Sequence, residues 1–359
     1  MSKQRTRMMG PETFRIIAAL FVFLMHSLSR LGTYYGPLQA LVSTGGVYMT
    51  GFFMLSGFMN ALGSADRDFT TAGEIKRFLK RRLVSLMPLY LFLAVIHVIE
   101  TYGTKRFVRE LYLIPVEFTG TQTLFQSMIK MSHNGGTWFI SCLLVCTVLF
   151  PYLHTLIRSC STKSKVLWLC GLYLFGVYAL KLNTYLELTS LYGNPFFRLL
   201  EFTIGVFAGS LYPALQKSRG YRVVCSPLVV LCAYLVLFWS LTSIVNYGIY
   251  NGDPVSADWL VIPLFLLILC GSANMNVPSF LSGIVGHLGG ITYGFYLAQF
   301  YCFWFAKLIA ERIGTEQTSY QTLGIALVIC LLMAEMAYLC IQKPVRAYAL
   351  KHMESKDER

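Results

Sequence analysis

The chain has 359 residues, 55% of them hydrophobic and only 13% charged, with a mean hydropathy of +0.57. Those values exclude a soluble domain of this length and leave a polytopic membrane protein. The net charge of +13 is spread over short segments between apolar stretches, which argues against a nucleic-acid surface and reads as a topology signal.

Apolar stretches of spanning length recur at 13–29, 45–63, 83–100, 137–157, 165–182, 196–213, 222–246, 259–273, 287–310 and 322–341. They predict an all-α bundle of about ten transmembrane helices, with 259–273 the shortest. Lysine and arginine alternate in density between the connections. One side holds Lys3, Arg5 and Arg7, the run Arg67 to Arg82, Arg158 to Lys165, Lys217 to Arg222, and the tail from Lys343 to Arg359. The other holds only Arg30, Lys105, Arg106, Arg109, Lys130, Lys181 and Arg312. This bias puts both termini in the cytoplasm. Residues 1–345 read as a single membrane domain and 346–359 as a short charged cytoplasmic tail, in the plasma or inner membrane of a cell.

The first span carries Arg15 and His26, where an ionisable residue is by default a functional-site hypothesis. Eleven residues are about three helical turns, so the two share one face roughly 16 Å apart along the axis. A guanidinium presents a planar fork that suits phosphate. An imidazole titrates near neutrality and suits general-base work. Together they fit a reaction joining a phosphate-bearing cytoplasmic donor to an acceptor reached through the membrane. His26-Ser-Leu-Ser-Arg30 offers no small-residue cleavage site, so the span reads as an uncleaved anchor.

In the second span Gly51 and Gly57 read as helix-packing positions, and the Ser56 hydroxyl is open to a local backbone bond or to a ligand. Before the third span, Lys76, Arg77, Lys80, Arg81 and Arg82 mark the cytoplasmic side. Arg82, with Arg81, is equally placed to turn inward onto donor phosphates, and Pro88 predicts a kink there. The outside connection from Thr101 to Gly136 contains an apolar stretch, Leu111 to Phe118, too short to span. His97 and His154 read as packing residues. The fourth span opens at His133 to Trp138, and Trp138 suits an interfacial anchor. Arg198 and Glu201 are a helical pair on the sixth span. Glu335 lies deep in the last span without a helical cation partner. The ten cysteines fall mostly in apolar segments as small buried hydrophobes. Cys142 and Cys146 lack a matching ligand pair, so no metal is expected.

These blocks, in this order, resemble acyltransferase family 3, polytopic enzymes that O-acylate cell-surface carbohydrates. The likeness lies in Phe14-Arg15-Ile through Met25-His26, Phe52 to Phe58, Phe78 to Tyr90 and Thr137-Trp138-Phe-Ile with Phe150-Pro151. It continues in Arg198-Leu-Leu-Glu201-Phe-Thr-Ile-Gly205, Gly290 to Leu297 and Ile341 to Arg346. The resemblance implies an acyl-CoA donor, usually acetyl-CoA, as co-substrate with no tightly bound cofactor. It also implies a glycan or lipid-linked sugar acceptor among membrane lipids, and essential roles for Arg15 and His26. Arg82, Arg81 and Ser56 then join Arg15 on the donor, His26 activates the acceptor hydroxyl or relays the acyl group, and Trp138, Arg198, Glu201, Tyr293 and Glu335 shape the site. Three positions depart from the pattern: Ser85 stands where a second arginine is common, Gln299 where histidine is usual, and Gln342 where glutamate is frequent. The chain resembles the short, stand-alone branch, for which no fused hydrolase-like domain is expected. The alternative is a polysaccharide exporter or flippase-like transporter on the same scaffold.

Overall fold

The computed structural model describes residues 8–125, 134–186, 190–275 and 277–357, and those residues are mostly helical, with no strand among them. His133, Lys130 and the terminal cations Lys3, Arg5, Arg7 and Arg359 lie outside the described residues. The longer helices are α1 (Met9–Arg30), α2 (Tyr48–Gly63), α3 (Ala72–Thr101), α4 (Phe107–Thr119), α5 (Thr137–Ser159) and α6 (Thr162–Tyr185). They continue as α7 (Pro195–Gln216), α8 (Pro227–Asn246), α9 (Asp258–Ser272), α10 (Ser279–Ile313), α11 (Tyr320–Ala337) and α12 (Lys343–Asp357). A π-helical turn, Tyr338–Gln342, joins the last two.

Local sequence sets the ends. The hydroxyls of Thr71, Ser161 and Ser319 accept the N–H groups of Glu74, Ser164 and Thr322 at the starts of α3, α6 and α11, satisfying donors that a first turn leaves over. Gly120 adopts a φ of +67° just past α4, a left-handed stop that favours glycine.

Eight stretches among the described residues are long and apolar enough to cross a membrane, and each coincides with an expected span. The remaining expected spans, 196–213 and 287–310, fall on α7 and α10, of 22 and 35 residues. Length is sufficient in both, but Arg198 and Glu201 dilute the apolar run of α7, and glycines, tyrosines and Gln299 dilute that of α10.

The chain folds as two compact units. The first comprises Met1–Arg67, Leu153–Tyr192 and Leu200–Thr292. Its hub is α9, which packs against α1, α2, α6 and α8. Apart from Asp258 at its start and Ser272 at its end, α9 is apolar around its circumference, as suits a helix packed against several others. Backbones approach closely where glycines allow it. A Cβ on Gly57 would strike the Phe202 carbonyl, and one on Gly205 would strike the Met54 carbonyl, so α2 and the first-unit part of α7 interlock through paired glycines.

The second unit comprises Asp68–Tyr152, Gly193–Leu199 and Tyr293–Arg359. Phe69, Phe78 and Phe150 form a ring cluster with centroids 5.1–6.0 Å apart. The amphipathic α4 folds back on α3. An apolar cavity of about 420 Å³ lies among α3, the second-unit part of α10, α11 and the π turn, bordered by Leu89, Phe92, Leu297, Met333 and Ile341.

Candidate functional site

The first turn of α1 contains a feature the sequence reading passed over. Glu12 is 7% exposed, and its Oε2 accepts from Arg15 Nη1 at 2.7 Å. Residues three apart on a helix are neighbours, so a buried carboxylate and the arginine above it pair within one turn. A Cβ on Gly289 of α10 would land on that same Oε2. The carboxylate therefore fills the space that any side chain at 289 would claim. The Arg15 side chain keeps 29% of its surface exposed, and its remaining N–H groups make no other hydrogen bond among the described residues.

Because α1 is unbroken from Met9 to Arg30, Arg15, Ala19, Val22 and His26 fall in one line along it. Ala19 and Val22 are buried at 2% and 1%, while Arg15 and His26 are half-buried at the two ends of the strip. The neighbouring Phe14 meets Phe265 edge-on at 5.3 Å, which fixes the rotation of α1 against α9. At the far end Ser27 bonds the Tyr35 hydroxyl at 2.6 Å, tying the residue after His26 to the following loop.

Ser56 is half-buried and makes no hydrogen bond among the described residues, so its hydroxyl is not spent on its own helix. Thr50, two turns earlier, is committed. Its hydroxyl lies 2.9 Å from Asp258 Oδ1 and 3.2 Å from Glu201 Oε1, with all three residues buried.

In the second unit the Arg82 guanidinium lies 5.6 Å from the centroid of Phe78, a cation–π contact that fastens it to the phenylalanine cluster. Arg81 is half-buried, and its Nε is enclosed without a hydrogen-bond partner among the described residues. The Tyr293 hydroxyl donates to the Leu86 carbonyl at 2.6 Å, two residues before Pro88, where the proline interrupts the helix ladder. Tyr296 and Asn134 donate to the carbonyls of Gly136 and Leu297 and fasten the start of α5 to α10. Gln299 is fully buried and Glu335 half-buried.

Two sequence readings change. Trp138 is 8% exposed and lies beneath the Arg198 guanidinium at 5.5 Å. A ring enclosed against a buried cation is a packing and charge-holding residue, not an interfacial anchor. His97 is not a bare packing residue either. Its Nε2 is 3.5 Å from Glu110 and its Nδ1 3.9 Å from Glu100, while Arg109 holds Glu110 Oε1 at 2.7 Å.

Of the expected site residues, Arg15, His26, Ser56 and Glu201 belong to the first unit. Arg81, Arg82, Trp138, Arg198, Tyr293 and Glu335 belong to the second. Glu12 was legible as an acid three residues before a membrane arginine. Thr50 and Asp258 carried no local signal, since their meeting depends on how α2 and α9 pack.

Neither the curated proteins nor the solved structures contain a match to the chain. A family model described as an acyltransferase domain matches residues 10–337, nearly the whole chain. With its helical spans, this chain therefore belongs to acyltransferase family 3 and is a membrane acyltransferase.

Proposed function

We propose that the enzyme moves an acyl group, acetyl in the simplest case, from cytoplasmic acyl-CoA to a hydroxyl of a cell-surface or lipid-linked glycan, within the cell membrane. The observation that carries this reading is the Arg15 guanidinium, gripped on one nitrogen by Glu12, with no other hydrogen bond among the described residues, and in line with His26. An open guanidinium edge suits two oxygens of a CoA phosphate. Within the same unit the Ser56 hydroxyl, which makes no hydrogen bond among the described residues, supplies a donor, and Arg81 and Arg82 enter as donor ligands on the family resemblance alone.

In the reaction His26 takes the proton of the acceptor hydroxyl as its oxygen attacks the thioester carbonyl. The carbon–sulfur bond breaks, and the CoA thiolate leaves and regains a proton. A positioned base of this kind contributes about 10²- to 10⁴-fold, and the rest comes from holding two substrates together away from water. Glu201 keeps helices of the first unit in register, and Trp138, Arg198, Tyr293 and Glu335 do the same within the second.

The test is transfer of radiolabel from [¹⁴C]acetyl-CoA to glycan by the purified protein in nanodiscs. Label that base releases from the glycan as acetate supports an ester product. Glycan movement across proteoliposomes with no label incorporated overturns the reading in favour of the exporter.

A further inference from the structure

Glu12 is more than a counter-charge, and we infer that it is a positioning residue which aims the Arg15 guanidinium at the donor, seated by Gly289. The inference rests on the reading of Arg15 as a donor ligand. A buried carboxylate requires a partner, and Glu12 finds one in Arg15 Nη1 at 2.7 Å. Arginine carries five N–H donors in a rigid plane, so fixing one nitrogen fixes the direction of the rest. Among the described residues Nε and Nη2 make no hydrogen bond, and that edge can bind two oxygens at once.

Gly289 gives the second half of the argument. At Gly10, Gly57 and Gly205 an added Cβ would strike a backbone carbonyl, so those glycines serve helix approach. At Gly289 the added Cβ would strike the end of the Glu12 side chain. Its clearance is for the carboxylate itself. An alanine there is accommodated by moving that carboxylate, which takes away the support of Arg15 while leaving the helices able to pack.

Charge and geometry make opposite predictions. A carboxylate beside the donor site repels an anionic CoA, so if charge alone mattered its removal would tighten donor binding. If Glu12 aims the guanidinium, its removal loosens binding.

The experiment uses the full chain purified in nanodiscs, with CoA alone as binding probe and acetyl-CoA as substrate. Glu12→Ala is expected to raise the CoA Kd and the acetyl-CoA KM about tenfold, with kcat and acceptor KM unchanged. Glu12→Gln, whose amide oxygen still accepts from Arg15, recovers most of the loss. Gly289→Ala reproduces Glu12→Ala, and neither change adds to Arg15→Ala. If Glu12→Ala does not fold, the Gln and Gly289 variants carry the same comparison. Tighter CoA binding in Glu12→Ala, or a lowered melting temperature with unchanged KM, overturns the positioning role. Unchanged CoA binding in Arg15→Ala instead removes the donor reading on which it stands.

Discussion

Thr50 on α2 donates to Asp258 on α9 at 2.9 Å, and the same hydroxyl lies 3.2 Å from Glu201 on α7. One small side chain thus ties three helices of the first unit at a point where all three residues are buried. Helices in a bilayer gain nothing from hiding apolar surface, since lipid is apolar too, so close packing and such polar links hold the bundle.

Replacing Thr50 by valine keeps the shape and deletes the hydroxyl beside two buried carboxylates. The expected loss is about 1–3 kcal/mol, the range for stranding a buried polar group. Thr50→Ser retains the hydroxyl and is expected to melt close to the parent. Thermal melts of both variants in detergent check this, and equal midpoints would mean the link contributes nothing.

How much of this was legible in the sequence follows from the range of each interaction. Helices announce themselves through continuous apolar length, so even the short 259–273 stretch was found, and it proved to be the hub helix α9. Arg15 and His26 stood out because charge is expensive in a span. The Glu12–Arg15 pair was equally local and readable at three residues' spacing. Thr50 with Asp258, 208 positions apart, was not. A threonine and an aspartate at the mouths of different spans look like ordinary helix starts until the packing is known. Arg198 was read beside Glu201 because helical spacing makes them neighbours, whereas its contact with Trp138 comes from a different helix.

The glycines separate into those that matter for packing and those that do not. Gly57→Ala and Gly205→Ala each push a methyl into a backbone carbonyl, and neither helix can yield without breaking the α2–α7 contact. Each is expected to cost about 1–3 kcal/mol by overpacking. Gly171 and Gly324 sit in α6 and α11 with nothing near an added Cβ. Alanine there is expected to be neutral or stabilising by up to about 1 kcal/mol, the helix-propensity difference. Expression and melting temperature across the four variants read the contrast directly.

Arg198 is fully buried, with its guanidinium over the Trp138 ring. Trp138→Phe keeps an aromatic face and Trp138→Leu removes it. The leucine variant is expected to lose about 2 kcal/mol more than the phenylalanine variant, the scale of a desolvated cation–π contact. Comparable melting of the two would show that the ring serves as volume alone.

The chain's two best-described histidines divide between chemistry and structure. His26 closes the α1 strip that begins at Arg15, so His26→Ala is expected to lower kcat by about 10²-fold or more, the contribution of a positioned base, with the melting temperature held. His97 faces Glu110, which is 1% exposed. Its removal leaves that carboxylate only the Arg109 ion pair among the described residues, so His97→Ala is expected to lose about 1–3 kcal/mol of stability with kcat little changed. Measuring both quantities in both variants decides the assignment. If His97→Ala silences transfer while melting normally, or His26→Ala melts early while still transferring, the roles given to the two imidazoles are reversed, and the reacting centre belongs beside α4 rather than on α1.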